Sequence, residues 1–165
     1  RRERGGRVKN LLTVREATEA DVKKIHELLV IYSKKAIVLA RSEEDIRFYL
    51  GNFLVAEVGG TVRGCAAARD FGNGLLEVRS MVVEPEFQGK GIGRAMIEAL
   101  IAGLRVKRKQ FRLFALTYQV EFFKALGFQV VDRSLFPEKI WSDCAKCPKN
   151  DCCDETAMLI EFSAE

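Results

Sequence analysis

The sequence predicts an α+β fold, a mixed and mostly antiparallel central sheet flanked by helices. Three observations predict it. Strand patterns at 53–58, 61–70 and 75–83 are joined by Gly59-Gly60 and by Gly72-Asn73-Gly74, which makes an antiparallel meander. The third strand, closed by Glu84-Pro85, leads through Gln88-Gly89-Lys90-Gly91-Ile92-Gly93-Arg94 into a helical pattern over Ala95–Leu104. A further apolar strand over 111–116 follows that helix, so the helix is a crossover and the new strand lies parallel to its predecessor.

The remaining elements follow from the same periodicities. Residues 12–16 read as a first strand. Thr18-Glu19-Ala20-Asp21 opens a helix, with Thr18 as cap and acids in the first turn. Val22, Ile25, Leu28, Leu29 and Tyr32 recur at helical spacing and form its buried stripe, with the sole histidine, His26, beside it as a surface or packing residue. Ser42 caps a second short helix running through Leu50. After the strand at 111–116, Tyr118–Leu126 is a short helix ended by Gly127, and 128–131 and 157–162 are closing strands.

Composition narrows the function classes. The chain has 165 residues, 48% of them apolar, enough for one domain with a real core. No apolar run reaches membrane-spanning length and no secretory signal is present, so a cytosolic protein is expected. The net charge of +4 is carried by residues 1–10, RRERGGRVKN, which predict a flexible basic arm. The rest of the chain is balanced and offers no basic face for nucleic acid. A second basic cluster, Arg105, Lys107, Arg108, Lys109 and Arg112, reads as a solvated helix end complementing the dipole.

The stretch 88–94 carries the chemistry. A glycine-rich turn between a strand and a helix presents unpaired backbone N–H groups at the positive end of the helix dipole, a seat for a phosphate or pyrophosphate. The glycines let backbone approach the ligand closely. A P-loop would need glycines five apart followed by Lys-Ser or Lys-Thr, and a Rossmann site would need Gly-x-Gly-x-x-Gly after a first strand. The spacing Gly89-x-Gly91-x-Gly93 fits neither.

Gln-x-x-Gly-x-Gly after such a strand resembles the acetyl-CoA loop of the GCN5-related N-acetyltransferase (GNAT) superfamily. The element order and Phe-Phe-Lys-Ala-Leu-Gly-Phe at 122–128 resemble that family as well, over about residues 12–163. The resemblance implies a single N-acetyltransferase domain over 11–165, with a cysteine-rich loop at about 134–155. It also implies parallel strands that splay to hold acetyl-CoA. Met81, Val82 and Val83 would line the pantetheine arm. Gln88, Gly89, Lys90, Gly91, Ile92, Gly93 and Arg94 would bind the pyrophosphate, chiefly through N–H groups.

Acetyl transfer to an amine needs a base, stabilisation of a tetrahedral oxyanion, and departure of a thiolate. Glu77, a carboxylate on an otherwise apolar strand, matches the base of several family members; the competing reading pairs it with Arg79 at the strand end. Many members carry a tyrosine in the closing helix as acid. The matching position here is Phe123, which can line the donor but has no proton to give. Thr117 or Tyr118 is the substitute, unless the thiolate leaves unassisted.

A finer resemblance is to the amino-acid N-acetyltransferases of arginine biosynthesis, the short stand-alone N-acetylglutamate synthases. It rests on segments 26–32, 38–42, 77–83, 116–123 and Trp-Ser-Asp-Cys-Ala-Lys-Cys-Pro at 141–148; the given sequence has no room for the kinase domain of the longer synthases. It implies L-glutamate as acceptor, whose two carboxylates call for fixed cations, best a bidentate arginine. Arg41 is the first candidate, Arg79 the second and Lys35 the third. Cys144, Cys147, Cys152 and Cys153 either clip a structural zinc ion or remain reduced or partly paired thiols, and Cys65 reads as a small core residue. Three alternatives stand beside glutamate: another small amine, a protein N-terminus, or a non-catalytic module binding CoA or nucleic acid. A homodimer is compatible with all of them.

Overall fold

The protein is described from a computed structural model covering residues 11–34, 41–136 and 155–163. Among these residues the strands are β1 (Leu12–Glu16), β2 (Phe53–Val58), β3 (Thr61–Gly72), β4 (Leu75–Val83), β5 (Phe111–Thr117), β6 (Gln129–Val131) and β7 (Thr156–Phe162). The helices are α1 (Val22–Lys34), α2 (Glu43–Phe48), α3 (Ile92–Lys107) and α4 (Val120–Ala125). The sheet order is β1-β2-β3-β4-β5-β7-β6. β4 and β5 pair in parallel, while β1–β2, β2–β3, β5–β7 and β6–β7 pair antiparallel. This is the mixed α+β sheet that the sequence predicts.

The chain divides into two compact units that share β3 and β4. The first holds the described residues up to Ala68 together with Arg79–Val106. Its strands bury both faces, which is why they read as nearly continuous apolar runs. On one face Phe53, Val55, Cys65, Ala67 and Val82 pack against Val22, Ile25, Leu28, Leu29 and Tyr32 of α1 and Ile46 of α2. On the other, Ala56, Ala66, Met81 and Val83 pack against Ile92 and Met96 of α3. Alternate positions of β2 and of β4 thus divide between two helical layers.

A β-bulge adds one residue to β3. Ala56 faces Gly64 and Glu57 faces Val62, so Arg63 is the extra residue. Val62 and Cys65, three apart, then share one face. Gly64 follows the bulge and lies so close to β4 that a β-carbon there would stand 2.9 Å from the Val82 carbonyl oxygen.

The entry to α1 is a single 3-10 turn, Glu19–Asp21, rather than the α-helical turn the sequence suggests. Asp21 is the reason. Its carboxylate accepts the Thr18 N–H at 2.7 Å and a two-pronged grip from Arg15 at 2.8 and 3.0 Å, and Arg15 also reaches Glu57. Ser42 caps α2 as predicted, its hydroxyl accepting the Asp45 N–H at 3.1 Å. The helix ends at Phe48, short of Leu50, where a 3-10 turn begins.

The second unit comprises Arg69–Val78 and the described residues from Lys107 onward. Leu75, Phe114, Phe136, Ala157 and Leu159 form its core, with Phe114 and Phe136 stacked at 4.1 Å. α4 ends in a Schellman motif. Gly127, at φ +96°, lets its own N–H reach the Lys124 carbonyl while the Phe128 N–H reaches Phe123, both at 3.0 Å. The ring of Phe128 then meets that of Phe123 edge-on at 5.0 Å, closing the motif with its apolar contact. α4 is shorter than the predicted 118–126 because Tyr118 and Gln119 precede it, with the Gln119 N–H held by the Thr117 hydroxyl at 2.8 Å.

Candidate active site

Strand, glycine-rich turn and helix start follow one another where the glycine spacing places them, but α3 begins at Ile92 rather than Ala95. Gly91 is its cap, its carbonyl accepting the Ala95 N–H at 3.0 Å. The N–H groups of Ile92, Gly93 and Arg94 therefore belong to the first turn, where a helix has no internal acceptor for them. Gly89 and Gly91 have φ of +74° and +84°, and a β-carbon on either would meet nothing within 4 Å. Glycine is needed there for backbone conformation, with open space above it.

The side chains of the loop turn elsewhere. Gln88 donates from Nε2 to the Tyr32 hydroxyl at 2.5 Å and to the Val83 carbonyl at 3.0 Å. Its N–H donates to Pro85. Arg94 pairs with Glu98 at 2.8 Å along α3, and Lys90 lies 5.4 Å from the centre of the Phe87 ring. Gln88 and Arg94 are thus engaged within the protein, while the first-turn N–H groups have no acceptor inside the helix.

Glu84, just before the loop, is gripped by Lys24 at 2.8 Å and Arg63 at 3.0 Å. Its partial burial opposes ionisation, yet the two cations outweigh that and hold its carboxyl below the usual range. Met81 and Val83 face the α3 layer while Val82 is buried in the α1 layer. Of the three residues expected along the donor's arm, Val82 can contribute only its backbone.

Within β4, Ser80 has φ +54°, a left-handed residue inside a strand. Such a conformation costs a non-glycine residue about 1–3 kcal/mol and collects at functional sites. Ser80 is held from two sides. Its hydroxyl accepts from Arg41 Nη1 at 3.1 Å, and its carbonyl accepts from the Cys65 thiol at 3.4 Å. Burial pushes that thiol up to about 12, so it stays protonated.

Arg41 donates from Nε to Asp45 at 2.5 Å, and its guanidinium lies 5.0 Å from the centre of the Phe53 ring and 5.6 Å from that of Tyr49. With its side chain 11% exposed, it is a preset cation rather than a solvated one. Ser80, Asp45 and Tyr49 are absent from the sequence-based site; Ser-Glu-Glu-Asp at 42–45 had signalled only a helix start. Arg79, the second candidate, is half-buried on β4 one residue before the left-handed Ser80.

In the second unit, Glu77 is buried at 4% exposure and stands in register with Phe114 of β5. The described parallel pairing of β4 with β5 runs from Leu75 with Arg112 to Glu77 with Phe114. Thr117 ends β5 and Tyr118 is half exposed beside it. Phe123 is buried against Phe122 and Phe128 as the apolar anchor of the Schellman motif. Lys35, the basic arm and Cys144, Cys147, Cys152 and Cys153 lie outside the described residues. Among the described residues no three His, Cys, Asp or Glu side chains gather as a metal site.

The Acetyltransferase (GNAT) domain family matches residues 49–130, from the end of α2 through most of β6. An uncharacterised N-acetyltransferase of Chlorobaculum tepidum is 40% identical over 88% of this chain and 94% of its own length. This chain belongs to the GNAT family. The amino-acid acetyltransferase of Mycobacterium tuberculosis is 34% identical over 72% of the GNAT chain and 69% of its own. Among solved structures, the N-acetylglutamate synthase of Neisseria gonorrhoeae in complex with coenzyme A and N-acetyl-glutamate superposes with a TM-score of 0.80 at 26% identity. It covers 92% of this GNAT chain, which in turn spans 35% of that synthase. A M. tuberculosis protein in complex with CoA gives a TM-score of 0.76 at 30% identity, covering 90% of this chain and 98% of that one. These relatives group the chain with acetyl-CoA-dependent amino-acid N-acetyltransferases.

Proposed function

We propose that this protein transfers the acetyl group of acetyl-CoA to the α-amine of L-glutamate, giving N-acetylglutamate and CoA. The reading is carried by the likeness of 92% of the chain to an N-acetylglutamate synthase solved with CoA and N-acetyl-glutamate. The amine nitrogen attacks the thioester carbon, the tetrahedral oxyanion collapses, the C–S bond breaks, and the thiolate takes up a proton.

Backbone N–H groups from Gly89 to Arg94 hold the pyrophosphate at the start of α3, and the Met81–Val83 segment guides the pantetheine arm. Glu77 takes the proton from the amine, directly or through water, since only the neutral amine is a nucleophile. Thr117 or Tyr118 supplies the proton to the thiolate. The Thr117 oxygen already accepts from Gln119, which leaves its own hydrogen for donation. Arg41 receives one substrate carboxylate with its orientation already set by Asp45 and Ser80, which lowers the ordering cost of binding. Arg79 receives the second. Phe123 backs the donor as part of a fixed ring pair. The cysteine quartet is the zinc-ligand candidate.

CoA release is measured with acetyl-CoA and a panel of glutamate, glutamine, ornithine, aspartate and an N-terminal peptide. Glutamate is expected to give the highest kcat/KM, by on the order of tenfold or more over glutamine, because a charge-assisted contact is lost in the amide. A panel in which glutamine, ornithine or the peptide equals glutamate overturns the reading.

A further inference from the structure

Tyr32 is placed by the sequence in the buried stripe of α1, and its ring is packed there, 8% exposed. Its hydroxyl has a separate use. It donates to the Val83 carbonyl at 2.8 Å and accepts from Gln88 Nε2 at 2.5 Å, while Gln88 Nε2 also donates to Val83 at 3.0 Å. The three groups form a closed ring. Both hydrogens of the Gln88 amide and two acceptor sites on the Val83 carbonyl are accounted for within it. Val83 ends β4 and Gln88 opens the anion loop, so the ring fixes the strand end against the loop start across the turn Pro85–Phe87.

α1 holds the same link a second time. Lys24 reaches Glu84 at 2.8 Å, and Arg63 of the β3 bulge reaches its other oxygen at 3.0 Å. Lys24 and Tyr32 are eight residues apart, close to two turns and so on one side of the helix. The segment from Val83 to Gln88 is therefore anchored at three of its six residues by α1, β3 and itself. A loop that binds through backbone N–H groups depends on such anchoring, because donors that must be ordered on binding give up affinity.

We propose that Tyr32 is a positioning residue for acetyl-CoA: by bonding Val83 and Gln88 at once, it sets the backbone of the pyrophosphate loop before the donor arrives. This rests on residues 88–94 being the acetyl-CoA site. The test compares Tyr32→Phe, which keeps the ring in the core, with Gln88→Leu and the double variant. The probes are CoA alone, by calorimetric titration, and acetyl-CoA in steady-state turnover with the best acceptor of the wild-type enzyme. The Kd for CoA is expected to weaken about five- to tenfold in each single variant, the scale of one lost hydrogen bond. The double variant is expected to match the weaker single within about twofold, since both break one ring.

In Tyr32→Phe the loss is expected in KM for acetyl-CoA, with kcat and acceptor KM within about twofold. A variant that melts earlier yet binds CoA as wild type does overturns the proposal, as does a loss confined to kcat. Wild-type protein that fails to bind CoA overturns the assignment of the loop instead, so the two failures are distinguishable.

Discussion

At the scale of single residues, Ser80 is where geometry and chemistry meet most closely. A serine in left-handed backbone within a strand is strained, and its two polar groups are held by Arg41 and Cys65. Two substitutions separate strain from contact. Ser80→Ala keeps the strain and loses the hydroxyl; Ser80→Gly loses both. Urea unfolding is expected to find the glycine variant more stable than the alanine variant by about 1 kcal/mol, the cost of left-handed backbone for a residue with a β-carbon. Both are expected to raise the acceptor KM, because Arg41 loses one of its two fixed partners. Equal stabilities would mean that Ser80 is not strained. None of this was legible in the sequence, where Leu-Leu-Glu-Val-Arg-Ser-Met-Val-Val reads as an unbroken strand. Backbone dihedrals at one position leave no trace in polarity when the residue is not glycine.

At the scale of elements, strands and helices were legible because their cores impose periodicity. β1, β2 and β4 have the predicted bounds, β2 and β4 because each is an apolar run closed by glycine or proline. The ends of helices were less legible. α3 starts three residues early because the cap is Gly91, and helix formers give no signal for a glycine cap inside a glycine-rich stretch. The β3 bulge was invisible too, since Arg63 and Gly64 look like an ordinary polar and small pair. It has a consequence for packing. Gly64→Ala would place a β-carbon 2.9 Å from the Val82 carbonyl oxygen and 3.3 Å from the Met96 methyl. Neither strand backbone can yield freely, so a destabilisation of about 1–3 kcal/mol is expected in urea unfolding. Wild-type stability in that variant would show that the approach of β3 to β4 is loose.

At the scale of the whole molecule, acid sensitivity follows from three cation-paired carboxylates with lowered pKa. Asp21 is lowered by Arg15 and Thr18 against its burial; Glu84 by Lys24 and Arg63, also against burial; Asp70 by the Gly72 N–H and Arg108, again against burial. A group whose folded pKa lies below its unfolded value stabilises the fold above the unfolded pKa. That contribution is lost as pH falls through the folded one. Stability is therefore expected to be full above about pH 5 and to decline steadily below about pH 4. Asp21→Asn, which leaves Arg15 without its main partner, is expected to cost on the order of 3 kcal/mol at neutral pH and to flatten the acid decline. An unchanged acid limb would assign the pH dependence to the other carboxylates. The donor half of the function was legible at this scale because a glycine spacing, a strand and a helix agree. Of the proposed acceptor site only Arg41 was legible, since its contacts Asp45, Tyr49 and Ser80 come together through the fold. Five cysteines are present, but Cys65 is fully buried with its thiol pushed up to about 12. Alkylation, disulfide exchange and metal ligation all require an accessible thiolate. In any such reaction of the folded protein Cys65 takes no part, which leaves the four cysteines between residues 144 and 153 as the only candidates.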